Sequence, residues 1–212
     1  MKNLIVITIV LLFCCISSAV TDINIPNPSF EDPVLADGTA VYDAVDWEIM
    51  YRSQDRYVQT VNESGTPAAD GDNHLRLSGG SKVAALTDYV IEPDKLYTIK
   101  YWLKPFSSSY FNFTNKFWIW AHDGDVWDEN NLTEVVYNSV GESFSVDQWE
   151  QREVTWVSPH DDPSIIGKKL AIGVSMLGRV DHYTAKIEEA PPYFDVSINA
   201  PANLFLTECD DD

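Results

Sequence analysis

Apolar and polar residues alternate along much of the chain, and this period of two is typical of β-strands that bury one face. In segment 96–103, apolar side chains occupy every second position from Tyr97 to Leu103, while Lys100 and Trp102 lie on the opposite side. The same alternation predicts strands at 75–77, 83–90, 151–156, 170–176 and 194–198. Turn sequences rich in Gly, Pro, Asp and Asn separate these segments. The pattern therefore predicts an all-β protein, an antiparallel two-sheet β-sandwich.

Tryptophan side chains occupy the polar side of this alternation at several positions. In segment 116–122, Trp118, Trp120 and His122 alternate with an apolar set that we expect to face the core. Trp102 also lies opposite the apolar face of its strand. Because exposed indole rings stack on the C–H faces of sugars, the sequence predicts a ligand-binding surface formed by Trp102, Trp118, Trp120 and His122. The alternative is that a loop covers this face and makes it a second core.

The charge balance restricts the possible partners. The chain carries 14 Lys and Arg against 33 Asp and Glu, which gives a net charge of −19 at pH 7. Nucleic-acid binding needs clustered cations, and docking on an anionic membrane surface needs them as well. The composition argues against both classes, and leaves cations and a carbohydrate or other small-molecule ligand as the expected partners.

The two ends of the chain differ from the middle. Residues 1–19 have a basic start, an apolar run and small residues at the end, which predicts a cleaved secretory signal and a secreted or extracytoplasmic protein without stable membrane insertion. A membrane anchor is the alternative interpretation. We expect one β-sandwich domain at 20–205 and a solvated acidic tail at 206–212. Cys209 would be the one cysteine of the mature chain, so a metal ion could replace a disulfide. Glycosylation sequons begin at Asn62, Asn112 and Asn131.

The sequence contains none of the familiar catalytic motifs. There is no nucleophile elbow, no His-Glu-x-x-His, no phosphate-binding loop and no dinucleotide fingerprint. The four histidines are scattered, with no pair at metal-ligand spacing. We therefore expect a binding protein rather than an enzyme.

A series of short motifs resembles a known family pattern. In chain order these are segments 27–33 (NPSFEDP), 46–47 (DW), 70–75 (DGDNHL), 96–103 (LYTIKYWL), 148–156 and 193–198 (YFDVSI). Together they resemble the jelly-roll carbohydrate-binding modules of the galactose-binding-domain-like superfamily. The pattern is similar as well to that of the calcium-dependent Stig cyclases, which are small exported proteins that cyclise indole–isoprenoid substrates.

The resemblance implies a structural calcium site that joins the two ends of the domain. Glu31 of the opening motif and Asp195 of the closing motif would supply carboxylates, and Ser29 would contribute a further oxygen. The function implied is that of an exported, non-catalytic, calcium-stabilised module for carbohydrate. The alternative is a Stig-cyclase-like enzyme for an apolar aromatic or isoprenoid substrate, with Asp195 as the candidate acid.

Overall fold

Two antiparallel β-sheets pack face to face in the part of the chain that the computed structural model describes, namely residues 20–51, 57–106, 116–139 and 147–191. The strands within these ranges are β1 Thr21–Ile23, β2 Thr39–Val41, β3 Glu48–Tyr51, β4 Val58–Asn62, β5 His74–Leu77, β6 Lys82–Val90, β7 Lys95–Pro105, β8 Lys116–His122, β9 Leu132–Ser139, β10 Glu150–Val157, β11 Lys169–Ser175 and β12 Gly178–Glu189. A single 3-10 turn, Glu129–Asn131, connects β8 to β9. The all-β sandwich predicted from the sequence is confirmed.

The two sheets differ in size and in strand order. The seven-stranded sheet has the order β10-β7-β12-β5-β4-β2. Its seventh strand, β1, lies outside this order and pairs with β12. The five-stranded sheet has the order β3-β6-β11-β8-β9. Most neighbours in space are distant in sequence, as expected of a jelly roll. Within the described ranges, no helix has the length and apolarity needed to cross a membrane.

Most of the predicted strands are present at the expected positions. Segments 75–77, 83–90, 96–103 and 151–156 lie within β5, β6, β7 and β10, and segment 170–176 coincides with β11 apart from its last residue. The alternation in β7 matches burial, because its odd-numbered residues from Tyr97 to Leu103 are buried and its even-numbered ones are only partly covered. The predicted strand 194–198, the signal at 1–19 and the tail at 206–212, with Cys209, lie outside the described residues.

The space between the sheets is filled by aliphatic side chains together with a group of stacked aromatic rings. Tyr101 of β7 stacks on Phe117 of β8, with ring centroids 4.8 Å apart, and on Tyr183 of β12, at 5.5 Å. Within the described structure, the hydroxyls of Tyr101 and Tyr183 are buried and have no hydrogen-bond partner. Burial raises the pKa of both phenols above the ordinary value, so both stay neutral. Apolar packing, aliphatic as well as aromatic, therefore fills the interface between the two sheets.

Candidate functional site

The outer face of the five-stranded sheet carries the first of the predicted ligand-binding residues. Trp118 and Trp120 of β8 point away from the main core, as predicted, and their rings stack with centroids 5.5 Å apart. They are nevertheless buried, at 8% and 3% exposure. Small residues beneath them make room, because a side chain at Gly173 would overlap with the Trp120 ring. The Lys82 ammonium covers both rings, at 4.4 and 4.6 Å from their centroids.

The prediction that these indoles are exposed is therefore wrong, and the alternative of a second core is correct. Trp118 and Trp120 form a buried cluster with two alanines of neighbouring strands, and Met50 and Trp127 pack against it. Strand alternation determines which side of a sheet a residue occupies. It does not determine whether another part of the chain covers that side.

His122 holds the loop after β8 and is fully buried. Its Nε2 accepts a hydrogen bond from the Asp128 backbone N–H at 3.0 Å, so its Nδ1 carries the proton and donates to the Gly124 carbonyl at 3.1 Å. Trp127 stacks on the imidazole with ring centroids 5.5 Å apart. His122, which was predicted to contact a ligand, is therefore a buried residue whose two ring nitrogens and one ring face have partners within the protein.

Trp102 lies on the other sheet. It belongs to β7, opposite Gln151 of β10 and Asp181 of β12, on the outer face of the seven-stranded sheet. Trp118 and Trp120 lie on the outer face of the five-stranded sheet, so the sandwich separates them from Trp102. A single surface containing all three tryptophans, as predicted, does not form.

The outer face of the seven-stranded sheet carries a row of cations that the sequence analysis missed. Gln59, Arg76, Arg179 and Lys104 are directly opposite one another across the adjacent strands β4, β5, β12 and β7. We call these three cations, Arg76, Arg179 and Lys104, the cationic row. Each cation follows or precedes a core residue in its strand, which is a detectable signal. However, the three cations can be recognised as a row only when the strand order is known.

Two carboxylates lie between members of the cationic row. Glu63 is 3.2 Å from Arg76 and 3.1 Å from Arg179. Asp147 is 3.3 Å from Lys104 and 3.7 Å from Arg179. The acids therefore bridge the neighbouring cations and offset their repulsion.

Aromatic rings surround the same row. The Arg76 guanidinium lies between Tyr57, at 4.9 Å from the ring centroid, and Phe106, at 5.4 Å. The Arg179 guanidinium lies 4.5 Å from the Phe106 centroid. Such contacts hold a guanidinium plane against a ring face, and its N–H groups then donate from the edge, as both arginines do to Glu63. Trp149 completes the group, and its Nε1 donates to the Pro67 carbonyl at 2.8 Å.

His74 lies beneath Trp149, with the two rings edge to face at 5.7 Å. It is fully buried, and neither of its nitrogens has a hydrogen-bond partner in the described part of the chain. Burial and the charges of Arg179, Lys104 and Arg76 lower the pKa of His74 to about 3. The imidazole is therefore neutral, and the potential beside it is positive although the whole protein is acidic.

The opening motif packs against the turn at 70–73. Glu31 Oε1 accepts hydrogen bonds from the backbone N–H groups of Asp72, at 2.9 Å, and Asn73, at 2.8 Å. Gly71 has a φ of 69°, and a side chain there would overlap with the Glu31 carboxylate. Glu31, predicted to bind calcium, is thus also the group that holds this turn in place.

Ser29 lies beside the same turn. Its Oγ donates to Asp70 Oδ2 at 3.0 Å, and this oxygen is 2.9 Å from His182 Nδ1. In the ranges that the structure describes, no three His, Cys, Asp or Glu side chains are grouped closely enough to hold a metal ion. Asp195, the third predicted ligand, lies outside those ranges. The donors present are a hydroxyl and carboxylates, and such hard oxygen ligands fit the chemistry of Ca²⁺.

Asp181 is a buried carboxylate that the sequence analysis did not single out. Its Oδ2 accepts from the backbone N–H groups of Ala69, at 2.7 Å, and Asp70, at 2.9 Å, while Oδ1 accepts from His182 N–H at 2.8 Å. Burial raises the pKa of Asp181 to about 7, and the three N–H donors act in the opposite direction. The side chain anchors the loop before β5 to β12.

Comparison with known proteins supports the fold. No family model and no curated protein sequence matches the chain. A cyclase from Fischerella sp. TAU shares 16% identity at a TM-score of 0.66, over 82% of this chain and 100% of that chain. The Stig cyclase Fisc from the same source, in complex with an indole compound, shares 16% identity at a TM-score of 0.64, again over 82% and 100%.

A carbohydrate-binding module is also among the similar structures. The CBM22-1 xylan-binding domain from Paenibacillus barcinonensis shares 15% identity at a TM-score of 0.48, over 83% of this chain and 99% of that chain. At these identities the likeness concerns the fold alone, and the chain has a jelly-roll β-sandwich fold of the type seen in the Stig cyclases.

Proposed function

We propose that the protein is an exported, non-catalytic binding module that takes a carbohydrate on the outer face of the seven-stranded sheet. The observation that carries this proposal is the group of partly exposed aromatic rings beside charged and amide side chains on that face. Its rings belong to Tyr57, Trp102, Phe106 and Trp149. Sugars combine flat C–H faces with hydroxyls, so they bind where rings and polar groups alternate.

The proposed ligand site lies on the opposite sheet from the paired tryptophans of the five-stranded sheet. Trp118 and Trp120 offer little ring surface, because Lys82 lies across them. Trp102 and Trp149 remain partly exposed. Of the four residues predicted to bind a ligand, Trp102 is therefore the one that we propose as a ligand contact.

We propose in addition that calcium stabilises the module. Glu31 and Ser29 would hold the ion together with Asp195, as the family resemblance implies. A bound Ca²⁺ would tie the turn at 70–73 to the residues that follow β12. Such a tie stabilises the folded state in proportion to the logarithm of calcium concentration above Kd.

A Stig-cyclase-like activity is the second candidate, and the buried Asp181 is the observation that favours it. Its pKa near neutrality suits a proton donor. Both of its oxygens, however, already accept backbone N–H bonds, and this arrangement serves to anchor a loop. The geometry therefore favours binding over catalysis.

A glycan array probed with and without calcium tests the proposed function. We expect binding to a defined set of glycans, with loss of the signal in Trp102→Ala and Trp149→Ala while the melting temperature falls by only about 2–8 °C. Trp118→Ala is the matched control on the opposite sheet, where binding should persist in whatever fraction remains folded. Absence of any glycan signal, together with binding of 4-(1H-indol-3-yl)butan-2-one, the compound bound by a Fischerella cyclase, would favour the cyclase instead.

A further inference from the structure

The cationic row is unusual because like charges face one another directly. Arg179 of β12 lies opposite Arg76 of β5 on one side and opposite Lys104 of β7 on the other. Directly opposed like charges destabilise a sheet. The chain has 14 Lys and Arg against 33 Asp and Glu. Three of these few cations thus occupy adjacent cross-strand positions, where two carboxylates offset only part of their mutual repulsion.

The acids near the row do not balance it. Three cations face two carboxylates, Glu63 and Asp147, among the described residues. The Arg179 and Lys104 side chains are only 10% and 11% exposed, whereas Asp147 is 68% exposed and its charge is well screened by water. The desolvated charge at the row is therefore net positive.

Several donors in and beside the row lack acceptors. The Nε atoms of Arg76 and Arg179 are buried and unpartnered in the described ranges, as are both nitrogens of His74, one of which is a donor in the neutral ring. A buried donor without an acceptor is costly, so such a cluster is one that an incoming acceptor would stabilise. The low pKa of His74, caused partly by the three cations, agrees with a local excess of positive charge.

The surrounding rings fix the orientation of one member of the row. Tyr57 and Phe106 hold the Arg76 guanidinium between their faces, and the Arg76 side chain is still 32% exposed. A guanidinium held against a ring face donates from its edge. Arg76 already donates to Glu63 through Nη1 at 3.2 Å, so a bound carboxylate would share this cation with Glu63.

We propose that the cationic row binds the carboxylate of an acidic saccharide, such as a uronic or sialic acid residue. This proposal rests on the proposed carbohydrate function and specifies the class of sugar. The carboxylate accepts from Arg76 and Lys104, while Trp102 and Trp149 contact the sugar rings beside it. The protein binds an anion in spite of its net charge of −19, because the row provides a local exception.

An array of paired glycans tests the proposal, with each uronate and sialoside printed both as free acid and as methyl ester. Esterification removes the charge and keeps the sugar skeleton. We expect the free acids to bind about tenfold or more tightly than their esters, since a charge-assisted hydrogen bond is lost in the ester. Arg76→Gln and Lys104→Gln should abolish this difference, and circular dichroism establishes that both variants fold.

Lys169→Gln is the matched control, because Lys169 is a paired surface cation on the five-stranded sheet. It should keep the full preference for free acids. Equal binding of acids and esters, or a preference for neutral glycans, would overturn the acidic-sugar proposal and leave the carbohydrate function standing. Binding to no glycan at all would overturn both.

Discussion

Replacing Trp120 by alanine tests whether the paired tryptophans of β8 form a buried cluster or an exposed surface for a ligand. Trp120 is 3% exposed, stacks on Trp118 and lies over Gly173. A tryptophan buries about 150–250 Å², which at about 25 cal/mol per Å² corresponds to about 4–6 kcal/mol. Truncation of a buried tryptophan usually costs about 3–5 kcal/mol. We therefore expect Trp120→Ala to lower the free energy of unfolding by about 4 kcal/mol, while Trp102→Ala costs about 1–2 kcal/mol or less.

Urea denaturation followed by far-ultraviolet circular dichroism measures this difference. With a slope of about 2 kcal/mol per molar urea, a loss of 4 kcal/mol lowers the midpoint by about 2 M. The two variants have the same chemistry and lie on opposite sheets, so each is the control for the other. An equal and small loss in both would mean that the rings of the five-stranded sheet are solvent-exposed, and the assignment of a second core would be refuted.

Three further predictions concern Gly173, Asp181 and the proposed calcium site. Gly173→Ala should cost about 1–3 kcal/mol, because the added methyl overlaps with the Trp120 ring, and combination with Trp120→Leu should restore part of that loss in a double-mutant cycle. The pKa of Asp181 is raised to about 7 from 3.8, so between these pH values the folded protein keeps a proton that the unfolded chain releases. The free energy of unfolding should therefore fall as the pH rises from 4 to 7. Melting curves recorded over this range should show a weaker dependence of stability on pH for Asp181→Asn. Calcium should raise the melting temperature measured by scanning calorimetry, and Glu31→Gln or Asp195→Asn should remove most of the gain; identical curves for calcium-loaded and chelator-treated protein would exclude the ion.

Much of the fold could be predicted because its information is local. In β7 apolar and polar residues alternate, and in β11 large apolar residues alternate with small ones. Both strands, and β10 as well, form where they were predicted. Short strands such as β1 and β2 have only three residues each, too few for a period to be detected. These strands depend on their partners across the sheet rather than on their own sequence.

The candidate site could not be predicted in the same way, since it depends on contacts between distant segments. The alternation in β8 correctly placed Trp118, Trp120 and His122 on one side of their strand. It contained no information about Lys82, which is far away in sequence and reaches across both indoles. Nor could it indicate that Trp102 belongs to a different sheet, because strand order in a jelly roll follows from the path of the whole chain.

The net charge of the chain, like the alternation within a strand, does not predict the cationic row. A net charge of −19 is an average over the chain, and it controls the long-range field and hence the approach of large polyanions such as nucleic acids. A single carboxylate within hydrogen-bond distance interacts mainly with the groups beside it, because water and salt screen the distant acids over about 8–10 Å. Arg76, Arg179 and Lys104 are separated by long stretches of sequence and meet only through the pairing of β5, β12 and β7. The acidic composition therefore argues against nucleic acid as a partner and remains compatible with a small acidic sugar at this row.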